Sequence, residues 1–152
     1  MSRNKLPDFG NCPLPDALDT IGERWSFLIL RGALFGMHHF EDFQSSLGIA
    51  RNILSNRLSR LVERGILDRQ VMPCDKRKVE YRLTEKGAAL APVMLALRQW
   101  ADKWESSNPS STVFADRRDR MPVREIVIHA HDGRALSPRD VMWIDRNCEG
   151  ES

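Results

Sequence analysis

The constraint that narrows this chain most is a change of hydrophobic period between residues 40 and 83. Phe40, Phe43 and Leu47 recur at helical spacing and stop at Gly48, a residue free to take the positive φ that helix exits often need. A second helical stripe follows at once, with Leu54, Leu58, Leu61 and Val62 on the buried side of a helix from about Ala50 to Glu63, and Gly65 ends it. From Leu67 the period becomes two. Val79, Tyr81 and Leu83 alternate with Lys78, Glu80 and Arg82, which predicts a strand with its second set facing outward. Pro73 and Asp75 mark the turn from the strand before it.

The flanks complete the pattern. Pro15 sits where a helix can begin, and Leu18, Ile21, Trp25, Leu28, Gly32 and Phe35 then recur at spacings of three and four, divided into two helices by Gly22 and Gly36. Thr84 caps a long helix to about Glu105, on which Leu90, Met94, Leu97, Ala101 and Trp104 follow a heptad-like spacing. Ala89, Val93, Ala96 and Trp100 form a second stripe beside them. The combined face is wider than one neighbouring helix covers, so it predicts burial against a partner chain, while Pro92 should bend the helix. Short helices, a Gly break and a strand pair in this order predict a mainly α chain with a small β-hairpin wing, a winged helix-turn-helix. The expected divisions are an N-terminal arm (1–13), the winged domain (14–106) with its dimerisation helix (84–105), a linker (107–121) and a β-rich, hairpin-like tail (122–152). In the tail, Val123 to His129 is strand-like, Asp132-Gly133 is a turn signal, and Val141 to Ile144 is the expected returning strand. A lone hairpin is barely stable in water, so the tail must pack on the main domain or on a partner.

Charge then points to a polyanion. The chain of 152 residues carries 23 basic and 21 acidic side chains, yet residues 51–82 alone hold 9 basic against 4 acidic. An excess confined to one segment is the electrostatic footprint expected for double-stranded DNA. No long apolar run precedes the first helix, and Phe27 to Leu30 is closed by Arg31, so neither a signal peptide nor a membrane span is expected and a cytoplasmic location follows. Cys12, Cys74 and Cys148 contain no CxxC pair, which argues for reduced thiols. His129 and His131 share a strand face but lack a third ligand, so no metal is expected. No nucleophile motif, Gly-rich phosphate loop or paired-carboxylate frame is recognisable, so neither an enzyme nor a cofactor is implied.

With Leu54 and Leu58 inward, the residue 50–63 helix turns Asn52, Asn56, Ser59, Arg60 and Glu63 outward, with Arg51 and Ser55 flanking that face. The N-terminal half of a recognition helix reaches base edges in the major groove. Arg51, Asn52, Ser55 and Asn56 are therefore the expected base contacts, because arginine can bridge two acceptors of guanine and asparagine can pair with adenine. Ile53 is placed to meet a thymine methyl. The wing residues Arg69, Lys76, Arg77, Lys78 and Arg82 are the expected phosphate or minor-groove contacts, and Ser59, Arg60 and His39 ahead of the Phe40 helix are further expected backbone contacts. Leu90, Val93, Met94, Leu97, Trp100, Ala101 and Trp104 form the expected homodimer interface. A different class of function, a winged helix whose basic hairpin binds an acidic protein partner, would show itself by weak, sequence-indifferent DNA binding.

These residues resemble the HxlR-type regulators, winged-helix transcription factors related in architecture to the MarR group. The resemblance runs from Cys12 to Trp100 and is carried by Cys12-Pro13, Ile21-Gly22 with Trp25, Ile29-Leu30-Arg31, Phe40 with Phe43, Gly48-Ile49, Leu54-Ser55, Arg57-Leu58, Leu61 with Gly65, Val79-Glu80-Tyr81-Arg82-Leu83-Thr84, Gly87 and Trp100. It implies a homodimer joined through terminal helices, a pseudo-palindromic operator, repression as the usual outcome, and an effector that is a small molecule or a thiol oxidant. The sensing thiol would stand near the first helix, where Cys12 lies; Cys74, beside Lys76 and Arg77, is the chemically more exposed candidate. The chain departs from the family at Ala50, where Ser or Thr is usual, and at His39, where arginine is common. Some members hold a metal with a cysteine-bearing tail; one tail cysteine, Cys148, cannot do so alone.

Overall fold

Leu14–Ile21 (α1) and Arg24–Leu34 (α2) open the computed structural model, which describes residues 10, 12–108 and 110–144. Most of the expected N-terminal arm, Pro109, and Cys148 with the end of the tail lie outside the described residues. Pro15 falls in the first turn of α1, where its missing N–H costs no helical bond. Glu23 starts α2: its carboxylate accepts hydrogen bonds from the Trp25 and Ser26 amides at 3.2 and 3.1 Å and from the Ser26 hydroxyl at 3.1 Å. Phe40–Leu47 (α3) and Arg51–Glu63 (α4) follow, then the antiparallel strands Leu67–Val71 (β1) and Val79–Leu83 (β2), paired from Leu67↔Leu83 to Val71↔Val79.

The core lies where α2, α3 and α4 meet the start of β1. Ile29, Phe43, Leu54 and Leu58 are wholly buried there, with Leu30, Leu61 and Leu67 almost so. Each buried side chain of this size contributes about 1.5–3 kcal/mol before entropy is charged against it. The wing is fastened on both sides. The Tyr81 amide donates to the His38 carbonyl at 2.7 Å, so the segment entering α3 pairs with the outer edge of β2. At the other end Thr84 caps the next helix by accepting from the Gly87 amide at 3.1 Å. Gly87 packs so closely on the Ile66 carbonyl that a Cβ would lie 2.2 Å from its oxygen, leaving room for no other residue.

The single helix expected over 84–105 is instead two, Glu85–Ala88 (α5) and Ala91–Trp104 (α6). Pro92 is the cause: it has no N–H for the Ala88 carbonyl, so the chain tightens through a Leu90-to-Gly87 bond of 3.1 Å and restarts with proline in the first turn of α6. The expected bend has become a break.

The segment after α6 is more ordered than a linker. Ala115 bridges Pro122 around a turn in which Asp116 N donates to Met121 O at 2.9 Å, and Phe114 sets its ring 5.5 Å from that of Phe35. Gln99 of α6 ties down the following stretch, donating to the Arg124 carbonyl at 3.0 Å and accepting from the Ile126 amide at 2.9 Å. The tail thus packs on the chain's own α6. Its hairpin pairs Ile128–His129 (β3) with Ala135–Leu136 (β4) around Gly133, whose φ is +85°. The returning strand is not Val141 to Ile144, as expected. Ser137-Pro138 diverts the chain first: the Ser137 amide and hydroxyl both donate to the Asp140 carboxylate, closing a 3₁₀ turn over Pro138–Asp140.

Candidate nucleic-acid interface

Three pieces of the chain carry the exposed polar side chains expected at DNA: the α3–α4 turn, the outer side of α4, and the wing. Gly48 takes φ +61° and donates its amide to Gln44 O at 3.0 Å, ending α3 cleanly. Ile49 is buried and anchors the turn, and Ala50 takes the extended cap conformation without any side-chain oxygen to offer α4. The first amides of α4 are left partly unmet, a weak positive end at the point where a polyanion would approach.

Arg51, Asn52, Ile53, Ser55 and Asn56 are all exposed on α4, and so are Ser59 and Arg60. Arg51 is not loose: its guanidinium carbon lies 4.8 Å from the centre of the Phe40 ring, a cation–π contact that joins the beginnings of α3 and α4. Arg60 turns back toward α1, donating to the Asp19 carbonyl at 3.4 Å. Arg57, assigned no role from the sequence beyond the resemblance, lies with Nε 3.2 Å from Glu23 Oε2 and braces α4 against the cap of α2. Partial burial opposes the charged form of Glu23, but hydrogen bonds from the Ser26 and Trp25 amides and the Ser26 hydroxyl, with the Arg57 charge, outweigh it. They hold its pKa below the ordinary value of 4.5.

In the wing, Lys76, Arg77 and Lys78 crowd an exposed tip that closes on itself through Lys78 N to Asp75 O at 2.9 Å and Arg77 N to the Asp75 carboxylate at 3.0 Å. Arg69 is exposed on β1, across from Tyr81. Arg82 and His39 are drawn together by a residue that sequence alternation placed on the outward face: Glu80, which is only 9% exposed. Arg82 Nε donates to Glu80 Oε2 at 2.8 Å, and His39 Nε2 lies 3.9 Å from Oε1. The one available signal was an acidic residue in an otherwise basic stretch.

Cys74 is exposed at the wing tip, whereas Cys12 is half-buried ahead of α1; neither forms a disulfide. No group of three or more His, Cys, Asp or Glu side chains among the described residues is arranged to hold a metal. No helix among them is long and apolar enough to cross a membrane. Of the residues expected at a dimer interface, Val93, Leu97, Trp100 and Trp104 are 47–67% exposed on α6, and Leu90 and Ala101 are half-buried. Met94 belongs to the chain's own core, which leaves it little surface to present. Leu14 and Leu18 of α1, nearly 60% exposed, add apolar surface that the helical stripe had assigned in part to the interior.

A short helix, a left-handed glycine and a second helix with a polar outer face, followed by a basic β-hairpin, define a winged helix-turn-helix regulator of the DNA-binding class. The HxlR-like helix-turn-helix family matches residues 20–109, and the chain belongs to that family. An uncharacterized HTH-type transcriptional regulator of Mycobacterium tuberculosis is 47% identical over 88 residues, 58% of this chain and 56% of that protein, so the chain spans little more than half the length of this curated relative. The crystal structure of PA1607, assigned as a transcription factor, superposes with a TM-score of 0.83 at 38% identity, covering 90% of this chain and 96% of PA1607. The reduced form of the transcriptional regulator YodB of Bacillus subtilis gives 0.56 at 32% identity over 64% of this chain and 96% of YodB, and YodB has also been solved with quinone bound. The match to PA1607 therefore extends over much more of this chain than the match to YodB. The exposed polar and basic side chains of α4 and the wing are of the kind that winged helix-turn-helix proteins present to DNA.

Proposed function

We propose that the chain acts in the cytoplasm as a sequence-specific transcriptional repressor, two copies binding one pseudo-palindromic operator. Arg51, Asn52, Ile53, Ser55 and Asn56 read base edges. His39, Ser59, Arg60, Arg69, Lys76, Arg77, Lys78 and Arg82 hold the phosphate backbone. The observation that carries this reading is the joint exposure of polar and basic side chains on the N-terminal half of α4 and at the Lys76–Lys78 tip. Dimerisation is supported by Val93, Leu97, Trp100 and Trp104, a line of large apolar side chains that a monomer would leave in water. Two bound copies place their α4 helices in successive major grooves, about one helical turn apart.

Selection of bound duplexes from a random pool tests the proposal. Recovered sequences should share an inverted repeat with half-sites separated by roughly 10 base pairs. Recovery of no common sequence would remove the repressor reading and favour an interaction module. Regulation by a quinone-like electrophile or thiol oxidant is the corresponding proposal for the effector, supported by the likeness to YodB and by the free thiols of Cys12 and Cys74. Operator binding measured with and without oxidant, in the parent and in Cys12→Ser and Cys74→Ser, decides between the thiols. An oxidant response unchanged in both variants would exclude them.

A further inference from the structure

Glu80 is the one charged side chain among the described residues that is buried, and it is buried on the wrong side. β2 turns Tyr81 and Leu83 toward the core, so Glu80 emerges on the face that carries Arg82. It sits within the segment of the chain that is richest in positive charge. A carboxylate in such a place weakens attraction to a polyanion, unless it contributes something that outweighs its charge.

Its contacts show what that contribution is. Oε2 receives the Arg82 guanidinium side-on, from Nε at 2.8 Å and Nη2 at 2.6 Å. Oε1 lies 3.9 Å from His39 Nε2, and His39 Nδ1 lies 3.4 Å from the Val79 carbonyl. The side-on pairing uses one edge of the guanidinium and leaves the N–H groups of Nη1, with the second of Nη2, on the opposite edge. Both side chains are open to solvent, Arg82 48% exposed and His39 42%. Both residues therefore stand already oriented at the junction of the wing with the start of α3, where the Tyr81–His38 backbone bond holds the two elements in register.

We propose that Glu80 is a positioning residue for DNA binding, holding Arg82, with His39 against its other oxygen, as a preset clamp whose free guanidinium N–H groups take one backbone phosphate per protomer. The proposal rests on the reading of this face as the DNA interface. An arginine held in advance gives up little rotamer freedom when the phosphate arrives, and its fork already points the right way. The alternative role for a carboxylate here is neutralisation, in which Glu80 simply offsets one positive charge. The two roles differ in sign.

The test uses the full chain and the duplex recovered by random-pool selection, with affinity measured across a salt series. Glu80→Ala should weaken binding about threefold to tenfold although it makes the surface more positive, and Glu80→Gln, which keeps an acceptor oxygen of the same shape, should restore much of it. Arg82→Ala should weaken binding by a similar factor and lower the salt slope by about one per protomer. Added to Arg82→Ala, the Glu80→Ala change should have little further effect. A rise in affinity for Glu80→Ala or Glu80→Gln would establish neutralisation and overturn the proposal. Persistence of the full Glu80→Ala loss in the Arg82→Ala background would overturn it too, as the mark of a purely structural role. Arg51→Ala and Lys76→Ala separate the two levels. If they weaken binding while the Glu80 and Arg82 variants do not, the clamp alone fails; if none of them does, the DNA face itself is misassigned.

Discussion

Two helices of nearly equal length, α4 and α6, each bury one stripe and expose the other, and their exposed sides are opposites. On α4 the outer side is Asn52, Ser55, Asn56, Ser59 and Arg60; on α6 it is Val93, Leu97, Trp100 and Trp104. Fold stability requires neither arrangement, because both helices meet the one core through residues on their inner faces. The difference fits the partners proposed for each helix. A polar, hydrogen-bonding face suits base edges and phosphates, and an aromatic-rich one suits the desolvated centre of a protein interface.

The comparison can be broken most forcefully on the α6 side. Trp100→Glu should convert the dimer to monomer in analytical ultracentrifugation and reduce operator affinity by on the order of 100-fold, since a buried aromatic anchor and the joint binding of two half-sites are lost together. A variant that remains dimeric would place the interface elsewhere. A change that touches neither exposed face should have an effect of comparable size. Gly87→Ala drives a methyl group into the Ile66 carbonyl and should cost about 2–4 kcal/mol in urea unfolding. An unchanged midpoint would mean that the close approach of α5 to the wing base is unimportant.

Smaller effects sharpen the α4 side. The Glu23 carboxylate has a folded-state pKa below 4.5, so the folded protein favours its charged form. That stability is present above about pH 4.5 and is lost as pH falls through the lowered value. Glu23→Gln should remove this part of the acid sensitivity of the melting temperature and cost about 1 kcal/mol at pH 7 from the weakened cap. An acid limb of the melting curve identical to that of the parent would exclude Glu23 as its source. Smallest is Ala50→Ser, which supplies the missing cap of α4 and should raise stability by about 0.5–1 kcal/mol, read as a higher urea midpoint.

The helix-turn-helix was legible because its signals are local. Gly48, Gly65 and Thr84 act on their own backbone neighbours, and the stripes of α3 and α4 need only helical geometry. What escaped prediction depends on partners distant in sequence or on competing local bonds. Glu80 is buried by Arg82, close by, and by His39, 41 residues before it, so strand alternation alone assigned it to solvent. Phe35 finds its ring partner in Phe114, and no periodicity connects the two. The hairpin of the tail closes at Ala135–Leu136 because the Ser137–Asp140 turn intervenes before the more apolar Val141 to Ile144. At α6, Pro92 was recognised as a disturbance, but whether a proline bends or divides a helix depends on the turn before it.

If α4 reads sequence while the wing only grips, Arg51 and Lys76 must behave differently in one paired measurement. Affinities of Arg51→Ala and Lys76→Ala are determined for the selected duplex and for a set of single-base variants of it. The account predicts that Arg51→Ala loses about 1–3 kcal/mol on the selected duplex and becomes indifferent to particular bases, whereas Lys76→Ala weakens every duplex alike and lowers the salt slope. Uniform weakening by Arg51→Ala with its base preferences intact would contradict the claim.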